Sequence, residues 1–83
     1  MRLDKYLKLS RIIKRRSIAN EVCDAGRVTA NGRPAKASYN VSIGDVIGVT
    51  FGEQTREFRV LTVEEKTGKD AARGMYEVLE NRD

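Results

Sequence analysis

The dipeptide Asn31-Gly32 restricts this chain more than any other pair of its residues. Both positions of a two-residue type I′ turn need positive φ, and asparagine followed by glycine meets that need at the lowest steric cost. The flanking runs, Arg27 to Ala30 and Arg33 to Ala35, are therefore read as the arms of a tight antiparallel hairpin. Pro34 has no N–H for a ladder, so its arm is expected at a sheet edge or to be very short.

Helical periodicity comes before the hairpin and strand periodicity after it. From Arg2 to Ser10, the residues Leu3, Tyr6, Leu7 and Ser10 fall on one face at helical spacing. A second helix is expected to begin near Arg16 or Ser17, with Ser17 as N-cap and Ile18, Ala19, Val22 and Ala25 as its inner face. Gly26 then supplies the residue that best tolerates a left-handed position just beyond the helix. Ser42-Ile43-Gly44-Asp45 reads as a turn into a strand over Val46–Phe51, with Ile47, Val49 and Phe51 alternating. Gly52-Glu53 turns into a further strand over Arg56–Val63. The polar stretch Glu64 to Gly74 is expected to be a loop with at most one helical turn, before a last strand over Met75–Leu79. The predicted class is α+β, with two short N-terminal helices packed on a small, mostly antiparallel sheet.

With 83 residues, the chain is expected to form one domain, with one modest core and no deep cleft between lobes. No apolar run approaches the length of a membrane span, and MRLDKYLKLS lacks the apolar stretch of a signal peptide. A cytosolic setting without membrane attachment is expected. Cys23 is the single cysteine and histidine is absent, which leaves no internal disulfide and none of the usual zinc ligand sets. A thiol nucleophile would also lack its histidine partner. Thr67-Gly68-Lys69-Asp70 lacks the upstream glycine and the terminal Ser/Thr of a phosphate-binding loop. Asp45, Glu53, Glu57, Glu64 and Glu65 form no recognisable acid/base pair. No catalytic residue, metal or cofactor is therefore expected.

The net charge of +4 divides unevenly along the chain. Residues 1–36 hold ten Lys/Arg against three acids, whereas residues 37–83 hold six against nine. Such a field turns the first half toward a polyanion, of which nucleic acid is the commonest in a cytosol. The candidate contacts are Arg2, Lys5, Lys8, Arg11, Lys14, Arg15, Arg16, Arg27, Arg33 and Lys36, expected to share one surface. Lys14, Arg15 and Arg16 crowd the start of the second helix, where the macrodipole disfavours cations by roughly 0.3 to 1 kcal/mol each. A phosphate placed between those cations and the helix terminus would relieve both. Tyr6 is read as a core residue, while Tyr39 is read equally as a packed connector or a base-stacking platform.

Arg2-Leu3-Asp4-Lys5-Tyr6-Leu7, Arg16-Ser17 with Ala19, Gly26-Arg27-Val28, Asn31-Gly32 and Gly44-Asp45 together resemble the RNA-binding domain first described in small-subunit ribosomal protein S-four. The resemblance covers about residues 1–50, and 51–83 would complete the sheet. A chain that starts at Met1 and carries no catalytic extension is similar to the stand-alone bacterial quality-control family called RqcP. It is more distantly similar to the ribosome-associated heat-shock family, which typically has a longer basic C-terminal extension than the ending Glu80-Asn81-Arg82-Asp83 offers. The resemblance implies binding to large-subunit ribosomal RNA and peptidyl-tRNA after a stalled ribosome has split, in support of C-terminal tailing by an RqcH-type factor. It implies Arg2 and Arg16 as phosphate contacts, Asp4 as the residue that orients the basic helix surface, and Lys5, Arg11, Lys14 and Arg15 as added electrostatic affinity. A monomer away from the ribosome is expected. Three other readings are a heat-shock-type recycling role, a protein adaptor using the basic face, and an RNA-modifying unit whose catalytic domain lies on another chain.

Overall fold

The computed structural model describes residues 1–65 and 68–79, with Lys69 as backbone only. Thr67 of the phosphate-loop comparison and the ending 80–83 lie outside the described residues. Helix α1 spans Leu3–Leu9 and α2 spans Arg16–Asp24. The strands are β1 (Val28–Ala30), β2 (Arg33–Pro34), β3 (Val46–Phe51) and β4 (Gln54–Val60), followed by helix α3 (Lys69–Arg73) and strand β5 (Tyr76–Val78). The sheet order is β2-β1-β3-β4-β5 and every pairing is antiparallel. The α+β expectation holds.

The hairpin forms as expected, with Ala30 opposite Arg33 and positive φ at both Asn31 (53°) and Gly32 (82°). Pro34 lies on the edge strand β2. Helix α2 stops at Gly26, whose φ of 78° lets its N–H reach the Cys23 carbonyl and the Arg27 N–H reach the Val22 carbonyl, both at 3.0 Å. These paired bonds satisfy the last helix carbonyls.

Four expectations need correction. Arg15 in extended conformation precedes α2, so Ser17 lies inside the first turn and caps nothing. Of the expected inner face of α2, Ala19 is buried and Val22 packs against the core, joined by Cys23, whereas Ile18 is 43% exposed and Ala25 faces solvent. Small side chains four residues apart let α2 approach closely, so the bulky Ile18 is turned outward. Phe51 ends β3 exposed at the hairpin tip, because the register pairs it with Gln54 across a two-residue turn. The same register starts β4 at Gln54, two residues earlier than the expected Arg56, and β4 ends at Val60.

The core lies between the helices and one sheet face. Leu3, Tyr6 and Leu7 from α1 meet Val28, Ile47, Val49 and Val60 from the sheet, with Met75 closing the end. Burying such a side chain contributes about 1.5 to 3 kcal/mol. Tyr6 belongs to this core, and its hydroxyl donates to the Met75 carbonyl at 2.8 Å. Cys23 is buried as well, and burial pushes its thiol up to about 11. Among the described residues, no helix is long and apolar enough to cross a membrane.

Candidate nucleic-acid interface

Asp4 sits in the first turn of α1 and is buried, yet no polar side-chain atom buried among the described residues lacks a partner. Its Oδ1 accepts from the Lys5 backbone N–H at 2.8 Å and from Arg2 Nε at 3.2 Å. Its Oδ2 accepts from Arg2 Nη2 at 3.4 Å and from Asn20 Nδ2 at 3.2 Å, and Arg16 Nε is ion-paired to it at 3.5 Å. The local sequence accounts for this convergence. Arg2 is the extended residue preceding α1, so its side chain folds back over the first turn. Arg16 and Asn20 are four apart on α2 and share one of its faces. Burial opposes ionisation of Asp4, but the hydrogen bonds from Asn20, Arg2 and Lys5, together with the Arg16 charge, outweigh it and hold the carboxyl below 3.8.

The side chains of Arg2 and Arg16 are 52% and 49% exposed. Each guanidinium gives part of one edge to Asp4 and keeps further N–H donors toward solvent. Two cations are thus fixed on one carboxylate from inside and remain open from outside. Guanidinium N–H pairs in a fixed plane match phosphate oxygens well.

The two helix N-termini differ. At α1, the Leu3 and Asp4 N–H groups donate to the carbonyls of Tyr39 (2.8 Å) and Ala37 (3.2 Å), so the loop before β3 occupies that end. At α2, no side chain caps the helix. Among the described residues, no carbonyl outside the helix accepts from Arg16, Ser17 or Ile18. Lys14, Arg15 and Arg16 are all exposed at this end, and the helix N-terminus beside them is free to face an anion.

The remaining expected contacts separate into groups. Lys8, Arg11 and Lys14 line one recess of about 310 Å³ with Leu9 and Gly68. Arg11 turns the chain out of α1 with φ of 61°. Lys5 is ion-paired to Glu65 at 2.6 Å. Arg33 borders a different recess, formed by the hairpin and Tyr39, while Arg27 and Lys36 are exposed elsewhere. Among the described residues, Lys8, Arg11, Lys14, Arg15, Arg27, Arg33 and Lys36 form no ion pair. Contacts join Arg2, Asp4 and Arg16 directly and gather Lys8, Arg11 and Lys14 around one recess; no described contact joins Arg27, Arg33 or Lys36 to either group.

Tyr39 serves as a connector. Its hydroxyl donates to Asp45 Oδ2 at 2.8 Å, and that hydrogen bond, with burial, raises its own ionisation above 10.0. Asp45 also accepts from Asn31 Nδ2 and from the Ser42 N–H, which locks the hairpin to the turn before β3. The sequence reading missed two residues. Asn20 was within reach of it, standing four after Arg16 on an expected helix, whereas no local pattern marks Glu65 as the partner of Lys5.

The S4 domain family model matches residues 1–47. The RQC P-site tRNA stabilizing factor of Streptococcus pneumoniae is 48% identical over 79 residues, covering 95% of this chain and 90% of that protein. The protein of the same name from Bacillus subtilis is also 48% identical, covering 95% of this chain and 92% of its own. The solved structure of Vibrio cholerae heat shock protein 15 superposes with a TM-score of 0.86 at 31% identity, covering 95% of this chain and 81% of that one. With a domain model spanning more than half its length and close relatives spanning nearly all of it, this chain belongs to the S4 domain family, alongside the RQC P-site tRNA stabilizing factors.

Proposed function

We propose that the chain acts through residues 1–83 as one non-enzymatic RNA-binding unit. It associates with the large ribosomal subunit carrying peptidyl-tRNA and supports tailing of the stalled chain by an RqcH-type factor. The observation that carries this reading is the buried, ionised Asp4 holding Arg2 and Arg16 with their outer edges open. Because the guanidinium groups are already oriented, less side-chain freedom is lost when a phosphate arrives. Arg2 and Arg16 hold phosphates and Asp4 orients them. Lys5, Lys8, Arg11, Lys14 and Arg15 add attraction from the same half of the chain, and Arg27, Arg33 and Lys36 extend it toward the hairpin. The relatives named as P-site tRNA stabilizing factors supply the ribosomal context.

Reading of this kind recognises shape and backbone, because an A-form helix hides its base edges in a deep groove. Affinity should fall steeply with salt, and removing one phosphate contact should lower the slope by roughly one unit. The test is co-sedimentation with large subunits bearing peptidyl-tRNA, before and after ribonuclease treatment. Arg2→Ala and Arg16→Ala should each reduce association while leaving the circular dichroism spectrum intact. Full association by both variants would refute the phosphate assignments. Capture that survives ribonuclease would favour a protein adaptor.

The likeness to heat shock protein 15 supports a second reading, recycling of obstructed large subunits. The two differ in requirement. The first requires that C-terminal tailing of the stalled chain fall when the protein is absent, so unchanged tailing with impaired recycling of obstructed subunits would favour the second.

A further inference from the structure

Asn20 is a half-buried residue of α2 with no part in the phosphate contacts argued above. Its amide has two different ends, and the structure fixes which one faces inward. A carboxylate only accepts hydrogen bonds, so the Nδ2 group must face Asp4, as the 3.2 Å contact has it. The carbonyl Oδ1 is left at the other end with no hydrogen-bond partner among the described residues. Ser17 lies one turn earlier on the same helix, and its hydroxyl is likewise without one.

Asn20 and Ser17 border a shallow recess shared with Arg16, Asp4 and Glu21. The charges around it decide what can enter. The Asp4 carboxylate is already answered by Arg2 and Arg16, and Glu21 adds a further one, so the interior offers a phosphate no net attraction and the half-exposed Arg16 holds it at the rim. A neutral group able to both donate and accept suits the interior: it would donate to Asn20 Oδ1 and accept from Ser17 Oγ. In an RNA strand, the 2′-hydroxyl is such a group, and it sits on the ribose carbon next to the one bearing the 3′-phosphate.

We propose that Asn20, assisted by Ser17, reads the ribose 2′-hydroxyl beside the phosphate held by Arg16, and so makes this surface selective for RNA over other polyanions. This rests on the RNA-binding reading above. The recess then has a role separate from that of the cations, which hold any phosphate chain.

The experiment compares a duplex RNA hairpin with the same hairpin carrying 2′-fluoro sugars. Fluorine keeps the A-form geometry and the phosphate spacing but removes the donor. The wild-type protein should bind the 2′-fluoro hairpin about fivefold more weakly, the order of one hydrogen bond. Asn20→Ala should lose most of the discrimination between the two hairpins, whatever overall affinity is lost with its hydrogen bond to Asp4. Glu21→Gln should keep the discrimination. Equal binding of the two hairpins by the wild-type protein would overturn the assignment without any variant, as would undiminished discrimination by Asn20→Ala. A wild-type protein that binds neither hairpin in a salt-dependent way would instead remove the RNA-binding reading itself, and this assignment with it.

Discussion

Lys5 Nζ lies 2.6 Å from Glu65 Oε1, joining α1 to the segment that follows β4 across sixty positions of sequence. The hydrogen bond and charge of Lys5 hold the Glu65 carboxyl below 4.5. A carboxylate in that place presents the ammonium with what an RNA phosphate would: an anionic oxygen at contact distance. Of the cations on α1, Lys5 is therefore already answered from within the chain, whereas Lys8 on the same helix has no ion-pair partner among the described residues.

Removing that internal partner should strengthen RNA binding. Glu65→Gln should raise affinity for a duplex RNA and steepen its salt dependence by about 0.7 to 0.9 in the log–log slope, as one further phosphate is neutralised. Glu53→Gln changes the net charge equally but lies at the β3–β4 turn; it should raise affinity less and leave the slope unchanged. Equal effects of the two substitutions would mean that net charge alone is felt and that Lys5 makes no contact.

Asp4 links acid stability to the same cluster. Its carboxyl ionises below 3.8 in the folded chain, so the folded state binds fewer protons there than the unfolded chain does. The stability this gives is fully present above about pH 4 and is lost as the pH falls through the lowered folded value. Asp45, lowered by its own hydrogen bonds despite burial, adds to the same acid limb. Asp4→Asn should flatten that limb in thermal unfolding measured from pH 3 to 7. It should also cost about 1 to 3 kcal/mol at neutral pH, because an amide N–H₂ then faces a ring of donors. The two half-exposed guanidinium groups regain water, which keeps the cost below that of breaking a fully buried pair.

How much of this was legible from residues alone depends on the range of the force involved. The Asn31-Gly32 turn, the Gly26 stop and the alternation of Ile47 and Val49 are local steric matters, and each lies where periodicity and φ preference put it. The inner face of α2 could be read that way only in part. Ala19 and Val22 lie inward as the spacing has them, but whether Ile18 or Cys23 joins them is decided by how closely α1 and the sheet approach. Asp4 reads locally as a favourable acid in a first turn; its burial under Arg2, Arg16 and Asn20 exists only once α2 has docked. The start of α2 falls at Arg16, within the range the sequence indicates, but Ser17 stands inside the first turn and makes no capping bond.

Tyr6 offers a clean measure of one buried hydrogen bond. Its hydroxyl donates to the Met75 carbonyl at 2.8 Å, and burial, with a smaller contribution from the Tyr76 charge, pushes its ionisation far above 10.0. The same carbonyl also accepts from the Leu61 N–H at 2.8 Å, so Tyr6→Phe leaves no orphaned acceptor. The cost should stay near 1 kcal/mol, lowering the midpoint by about 4 to 8 °C for a domain of this size. A loss of several times that would show that the hydroxyl holds more than one bond's worth of structure.

Gly48 is required by its neighbour across the sheet more than by its own backbone. It pairs with Thr29 of β1, and a Cβ built there would lie 2.5 Å from Thr29 Oγ1, closer than real atoms approach. No positive φ is involved, so alanine is conformationally acceptable and would even reduce the entropy of the unfolded chain. The contact should dominate: Gly48→Ala should destabilise by about 1 to 3 kcal/mol, as overpacking does. Thr29→Ala alone should cost less than about 1 kcal/mol of strand preference. Together the two should be more stable than Gly48→Ala alone, with a coupling of about 1 kcal/mol in a double-mutant cycle of urea unfolding. Simple additivity would mean that the strain lies in the β3 backbone and that Thr29 is only a bystander.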